Sequence, residues 1–580
     1  MRRFALTALA LSVFVAASPA PAPTPTTTPR PQPDIPSQVD AVFAEYDRSD
    51  SPGCSLGVYR DGRILYARGY GMANLELGVA NSAQTVFDIG STSKQFTAFS
   101  IQLLAREGKL SLDDDIRKWL PEMPAYGKTI TIRHLLHHTS GLRDYLVAME
   151  LSGMQEEDWT TEQDALDIIA RQKGVNFPPG QEYLYSNTGF FLLGVIVKRA
   201  SGQPLREFAA EHIFVPLGMR HTQFNELHTR IIPNRATGYQ KQKPPAAAFG
   251  IEMSNWEQIG DGSVLTTVED LQKWDENFYE PRNGVGDAKL METMQDVGVL
   301  NSGKKITYAS ALVIGTFRGL PTVSHGGSWA GYRAQLMRFP KQHFSVACLC
   351  NLAQANPSRL AQKVSEVYLG SLMTKEEPKP QEAASSVKLA APPKSLQALV
   401  GMYRDTQSSE MIRLAIWDDK LTANVDDHNF PLTPVGGNRY RFEGFEGKRE
   451  MEIPPVSGGA RPLRPKLTVT TAEHDEEPET QTFEPVEPWT PTAAELAPLA
   501  GLYASEEVGT TWRLVAEGDR LIIKHRGVSE EPLKPTVRDT FTHEGIQLSF
   551  QRGPKGEVTG FLVDAGRVKS LGFKKQAPAP

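Results

Sequence analysis

Phe87-Asp88-Ile89-Gly90-Ser91-Thr92-Ser93-Lys94-Gln95-Phe96-Thr97-Ala98 sets a nucleophile and an amine at the opening of a helix. From Phe96 to Leu104 the run is apolar and long enough to predict that helix, so Ser91 and Lys94, three residues apart, share one face of its first turn. A serine hydroxyl is a poor nucleophile until a base takes its proton, and a helix N-terminus favours developing negative charge. The stretch therefore predicts an enzyme with Ser91 as its nucleophile. A Ser-x-x-Lys tetrapeptide alone is weak, since most mark an ordinary exposed helix start.

Order along the chain adds what the tetrapeptide lacks. Tyr185-Ser186-Asn187 follows Ser91-Thr92-Ser93-Lys94, and His325-Gly326-Gly327 follows that. Three motifs in this order resemble the penicillin-recognising serine hydrolases, in which Ser-x-x-Lys, Tyr-x-Asn and Lys-Thr-Gly or His-x-Gly line one cleft. That family includes class C β-lactamases, D-alanyl-D-alanine carboxypeptidases, D-aminopeptidases and esterases. Supporting strings spread the resemblance over residues 38 to 370: His134-Leu135-Leu136-His137-His138-Thr139-Ser140-Gly141-Leu142, Phe177-Pro178-Pro179-Gly180, Pro216-Leu217-Gly218-Met219 and Gly262-Ser263-Val264-Leu265-Thr266-Thr267.

The resemblance implies an α+β fold of β-lactamase/transpeptidase type, an antiparallel sheet of N- and C-terminal strands with a helical insertion carrying the serine. It implies that Ser91 forms an acyl-enzyme with Lys94 alongside, and that Tyr185 is the neighbour whose phenol takes part in proton transfer. Lys94 either loses its proton through burial or stays charged and favours the phenolate, with protonated His325 as a second cation. Asn187 is expected to hold a substrate amide, Gly327 to let substrate approach the strand, and the backbone N–H groups of Ser91 and Ser328 to form the oxyanion hole. Histidine stands where Lys-Thr-Gly has a fixed cation, which tilts the reading toward esters, amides and N-terminal D-amino-acid derivatives. A β-lactamase or D-alanyl-D-alanine carboxypeptidase is the enzymatic alternative, and a ligand-sensing relative the alternative of another class.

At 580 residues the chain exceeds one core, and two to three domains are expected. A net charge of −6 gives no basic footprint, so nucleic acid is not an expected partner. Met1-Arg2-Arg3 followed by the apolar run Phe4 to Ala17 reads as a secretory signal over 1–17, cut after Ala17, leaving no membrane attachment and a periplasmic or secreted protein. Residues 18–36, rich in Pro and Thr, read as a disordered tether. The three cysteines, Cys54, Cys348 and Cys350, read as buried thiols, with one bridge from Cys54 to Cys348 or Cys350 left open. His134, His137 and His138 lack the carboxylate or cysteine pattern of a metal site, and His137 and His138 read as capping and packing residues, so neither metal nor other cofactor is expected.

The serine hydrolase domain is placed at 37–372 and a charged, Pro/Ala/Ser-rich linker at 373–392. Beyond it lies a repeat at a period of one hundred residues. Leu396, Leu399, Gly401, Tyr403, Arg413, Leu414, Asp419 and Leu421 return as Leu496, Leu499, Gly501, Tyr503, Arg513, Leu514, Asp519 and Leu521. Alternating runs such as Arg520-Leu521-Ile522-Ile523-Lys524 predict short strands, hence two all-β modules, barrel- or lipocalin-like, at 393–488 and 489–580. The expected partner is a small-molecule or peptide substrate, with homo-oligomerisation left open.

Overall fold

The computed structural model describes residues 34–374 and 394–577, apart from 408–409, 418–419, 426–427, 444–447, 455–463 and 473–478. The stretches read as a signal sequence, most of that read as a tether and nearly all of that read as a linker lie outside the described residues. A helix, Ile35–Val42, begins two residues before the tether was expected to end, with Pro36 in its first turn, where a missing N–H costs nothing.

The first domain is built on a six-stranded antiparallel sheet in the order Val313–Phe317, Leu320–Trp329, Tyr332–Phe339, Phe344–Cys350, Cys54–Arg60, Arg63–Tyr70. The terminal strands of the domain thus meet in its middle, as the resemblance implies. Asp61 and Gly62 turn the first hairpin with φ of 49° and 69°, the left-handed pair that a tight two-residue turn needs. Cys54–Tyr59 is buried throughout, because that strand has neighbours on both edges and helices over both faces. Helix Pro357–Leu369 packs on Tyr332–Phe339 and Phe344–Cys350, while Val268–Asn277 packs on Cys54–Arg60 and Phe344–Cys350.

The cysteine reading is corrected. Cys54 lies directly across from Cys350 in the strand register and the two are joined as a disulfide. Cys348 opposes Leu56 instead and stays a buried free thiol, its pKa pushed up by burial. Placement two residues along the strand puts both cysteines on one face, but only cross-strand register decides which meets Cys54.

Both modules are antiparallel meanders, and the repeat is visible in them. Gly401–Asp405 and Gly501–Ser505 open the two, and in each a buried tyrosine donates back to the same position, Tyr403 to Leu399 O at 2.8 Å and Tyr503 to Leu499 O at 2.7 Å. The first module closes into an eight-stranded barrel around its own core of Leu399, Tyr403, Ile412, Leu432, Phe442 and Val469. The second has eight strands but stays open between Arg520–Lys524 and Lys534–Pro535. The segment between them meets the first domain: Arg526 forms a two-pronged pair with Asp158, both bonds 2.7 Å. Trp512, fully buried, donates to Leu151 O at 3.1 Å, and the apolar cores of the second module and the helical region are continuous. Among the described residues no helix is long and apolar enough to cross a membrane.

Candidate active site

Ser91 sits on a tight 3-10 turn, Gly90–Ser93, which runs directly into helix Lys94–Arg106. Every residue of that helix from Lys94 to Leu104 is buried, so it is a central core element that fixes the serine firmly. Asp88 accepts from Gly90 N at 2.8 Å and shapes the turn. The turn lies against strand Leu320–Trp329 with no room for side chains between: a Cβ on Gly327 would fall 1.9 Å from Ile89 O, and one on Gly90 2.6 Å from Ser328 N. Gly90 also has φ +48°. These two glycines let the serine turn and the strand meet closely, so that Ser91 and Ser328 line the same cleft.

Lys94 is wholly buried, and its Nζ has three oxygen neighbours: Ser91 Oγ at 3.0 Å, Asn187 Oδ1 at 2.9 Å and Asp261 O at 2.5 Å. The latter two can only accept. A neutral amine donates its two protons to them and points its lone pair at the Ser91 hydroxyl. Burial lowers the Lys94 pKa to about 8, although Asp261 and Asp144 resist the shift. Asp261 is itself buried and raised by desolvation, its carboxylate held by the Tyr145 hydroxyl at 3.1 Å.

Asn187 opens helix Asn187–Ser201 and is engaged on both ends of its amide, since Nδ2 donates to Asp144 at 3.0 Å. Its Oδ1 thus orients Lys94, while the residue still lines the cleft in which it was expected to hold a substrate amide. Asp144 organises this corner: it accepts from Leu146 N and Val147 N at the start of helix Tyr145–Ser152, and from Asn187 N at 2.8 Å. Ser186, the residue before the Asn187 helix, gives no side-chain cap, and Asp144 takes that place.

Tyr185 lies beside Ser91 with its hydroxyl buried. Burial pushes its pKa well above 10.0, partly offset by Ser91 and by the Arg567 guanidinium. Two basic side chains border its ring, Lys94 Nζ at 4.9 Å and the Arg567 guanidinium at 4.8 Å from the centroid. His138, read from sequence as a packing residue, stacks on Tyr185 with ring centroids 4.1 Å apart and accepts from Ser186 N at 3.1 Å. His134 is the capping residue, taking the Thr131 N–H at 3.1 Å.

His325 faces the same cleft but does not act as a cation. Its Nδ1 lies 2.6 Å from Gly326 O, which can only accept, so Nδ1 carries a proton, and its Nε2 lies 2.9 Å from the Tyr308 hydroxyl, from which a neutral ring accepts. Burial and the Lys94 charge lower its pKa to about 4. The second cation expected near Tyr185 is Arg567, delivered by the last module.

Ser91, Tyr185, Asn187, His325, Gly327 and Ser328 line one open cleft of about 770 Å³, with Lys94 buried directly behind Ser91. Sequence reading missed Asp144, Asp261, Tyr308 and Arg567. Asp261 stands next to the quoted Gly262-Ser263 string, whereas nothing local marks the others.

The geometry agrees with similarities to known proteins. The Beta-lactamase family model matches residues 39–367, more than half of the chain. Penicillin-binding protein 4* of Bacillus subtilis (strain 168) is 32% identical over 308 residues, covering 50% of this chain and 66% of that protein. A D-aminopeptidase of Cereibacter sphaeroides (strain ATCC 17023) is 28% identical over 375 residues, 65% of this chain and 70% of that one. The chain spans just under two thirds of the Bacillus protein's length and of Protein flp of Staphylococcus aureus (strain MW2), 66% and 64%. In fold it resembles an octameric penicillin-binding protein homologue from Pyrococcus abyssi, with a TM-score of 0.54 at 24% identity over 78% of this chain and 99% of that one. Cleft, motif order and matched residues lead to one assignment: the chain belongs to the beta-lactamase family of serine hydrolases, with two β-modules added behind the catalytic domain.

Proposed function

We propose that the protein is an exported serine hydrolase that works through an acyl-enzyme on small esters or amides, D-amino-acid derivatives foremost. The observation that carries this reading is the Lys94 amine, buried, lowered in pKa and 3.0 Å from the Ser91 hydroxyl with its other two neighbours both acceptors. Neutral Lys94 takes the proton as Ser91 Oγ attacks the carbonyl carbon. The oxyanion is stabilised by the Ser91 and Ser328 N–H groups, each such donor lowering the barrier by about 3 kcal/mol. The departing amine or alcohol receives the proton back from Lys94 through the Tyr185 hydroxyl. Water then repeats the attack on the acyl-enzyme, and the acid is released as Ser91 regains its proton. His325 serves as a neutral, Tyr308-bonded wall residue. Likeness to D-aminopeptidases supports the choice of acyl group, and the Cys54–Cys350 disulfide supports an oxidising compartment such as the periplasm or the exterior.

Labelling with a fluorophosphonate, followed by mass spectrometry, is expected to place the adduct on Ser91, and Ser91→Ala to abolish both label and turnover. A panel of nitrocefin, 4-nitrophenyl esters and D- and L-amino-acid 4-nitroanilides separates esterase, aminopeptidase and β-lactamase action. An adduct elsewhere, or unchanged turnover in Ser91→Ala, ends the proposal.

A further inference from the structure

The hairpin Val558–Ala565/Val568–Lys575 of the last module carries Arg567 at its tip into the cleft. Its backbone is pinned there. Arg567 O accepts from Asp144 N at 3.2 Å and from Asn176 Nδ2 at 2.8 Å, while Lys569 N donates to Asn176 Oδ1 at 2.8 Å. Arg143 reaches up from the catalytic domain to the carbonyls of Lys569 and Ser570, at 3.0 and 2.9 Å.

The guanidinium, by contrast, lies over the Tyr185 ring, 4.8 Å from its centroid, with its N–H donors uncommitted. Its nearest carboxylate oxygen is Asp144 Oδ2 at 3.9 Å, beyond hydrogen-bond distance, and that carboxylate already accepts from Leu146, Val147 and both nitrogens of Asn187. Glu150 also lies within its field without a hydrogen bond to it. Among the described residues no acceptor takes an Arg567 side-chain N–H. The side chain is 44% exposed and lines the cleft with Ser91 and Tyr185. A planar fork of donors, held rigidly at its backbone and open at its head beside the nucleophile, matches a carboxylate.

We infer that Arg567 is a specificity-determining residue that anchors a carboxylate next to the scissile bond, so that the substrate's anion is read by a residue from the C-terminal module and not by the catalytic domain. This rests on the hydrolase reading above. It also reverses the tilt set by His325: the cation missing from the strand is restored from another module.

Two ester pairs test it. One carries the charge on the leaving group, 3-carboxyphenyl against 3-carbamoylphenyl phenylacetylglycinate; the other carries it on the acyl group, 4-nitrophenyl 4-carboxybenzoate against 4-carbamoylbenzoate. The wild-type protein is expected to prefer the carboxylate of at least one pair by about tenfold or more in kcat/KM, the scale of one charge-assisted hydrogen bond. In Arg567→Gln that ratio is expected to collapse toward one, chiefly through KM, with partial recovery in Arg567→Lys. Because the ratio is internal to each protein, partial loss of folded material does not alter it. Added salt gives the same readout without substitution, lowering the wild-type ratio. A ratio unchanged in Arg567→Gln for both pairs overturns the inference and leaves Arg567 a docking residue. Failure of the underlying reading is distinct: neither member of either pair is turned over and Ser91 is not acylated.

Discussion

Lys94 shows how burial changes what a residue type can do. In water its amine is a cation at neutral pH and no base; here desolvation lowers its pKa to about 8 and three oxygens fix its orientation. The free amine is the active form, so activity is lost as pH falls below the lowered pKa and gained as pH rises through it. With a neutral ester, kcat/KM is therefore expected to climb through an inflection near 8 and level off above it. An inflection at the ordinary lysine value of 10.5 would mean that burial has not activated the amine. Tyr185 and Lys94 pass one proton between them, so Lys94→Ala and Tyr185→Phe should each cost about a thousandfold in kcat/KM, and the double variant little more. Losses that add in free energy would show two independent contributions and refute the shared-proton scheme.

Among elements, the close meeting of the serine turn with strand Leu320–Trp329 decides whether Ser91 and Ser328, the proposed oxyanion donors, converge. The strand continues through its glycines, which still pair in the ladder, Gly326 with Gln335 and Gly327 with Ala334. Gly327→Ala forces a methyl into Ile89 O and separates the strand from the turn. It is expected to lower kcat/KM by about a hundredfold or more, the effect of losing one oxyanion donor, and to destabilise by roughly 1–3 kcal/mol through overpacking. Gly202→Ala is the contrasting case. Gly202 ends helix Asn187–Ser201 with φ +80° and nothing within 4 Å, so only the backbone penalty of about 1–2 kcal/mol is expected, with kcat/KM unchanged. Thermal melts and steady-state kinetics on the two variants check both, and equal kinetics in both would remove the glycine argument.

At the scale of the molecule the two modules differ in kind. The barrel keeps its own core, whereas the second module shares one with the helical region and inserts a hairpin into the cleft. A buried ion pair clamps that junction: Arg143 Nη1 to Glu507 Oε2 at 2.6 Å, the side chains 5% and 11% exposed, with Lys173 N also donating to Glu507 at 2.7 Å. Removing one member leaves the other charge buried without its partner, which costs about 3–5 kcal/mol. Glu507→Gln is expected to lower the melting temperature and to loosen the hairpin that holds Arg567, so that any carboxylate preference falls with it. A variant that melts and discriminates like the wild type would show that the junction does not depend on this pair.

Much of this was legible in the chain. Ser91 and Lys94 three residues apart and the alternating strands are local patterns, set by helix and strand periodicity over a few residues, and the hundred-residue repeat shows as self-similarity of the chain. The order of the three motifs was enough to name the family and the wall residues of its cleft. What only the tertiary structure decided are relations between distant segments: which cysteine faces Cys54, that Asp144 caps two helices and Asp261 supports Lys94, that His325 is held neutral, and that Arg567 enters the cleft. Arg143 and Lys569 lie 426 positions apart, and no periodicity carries information over that distance. Register, burial and the docking of one module on another settle such contacts, because charge state and pairing depend on which surfaces exclude water together.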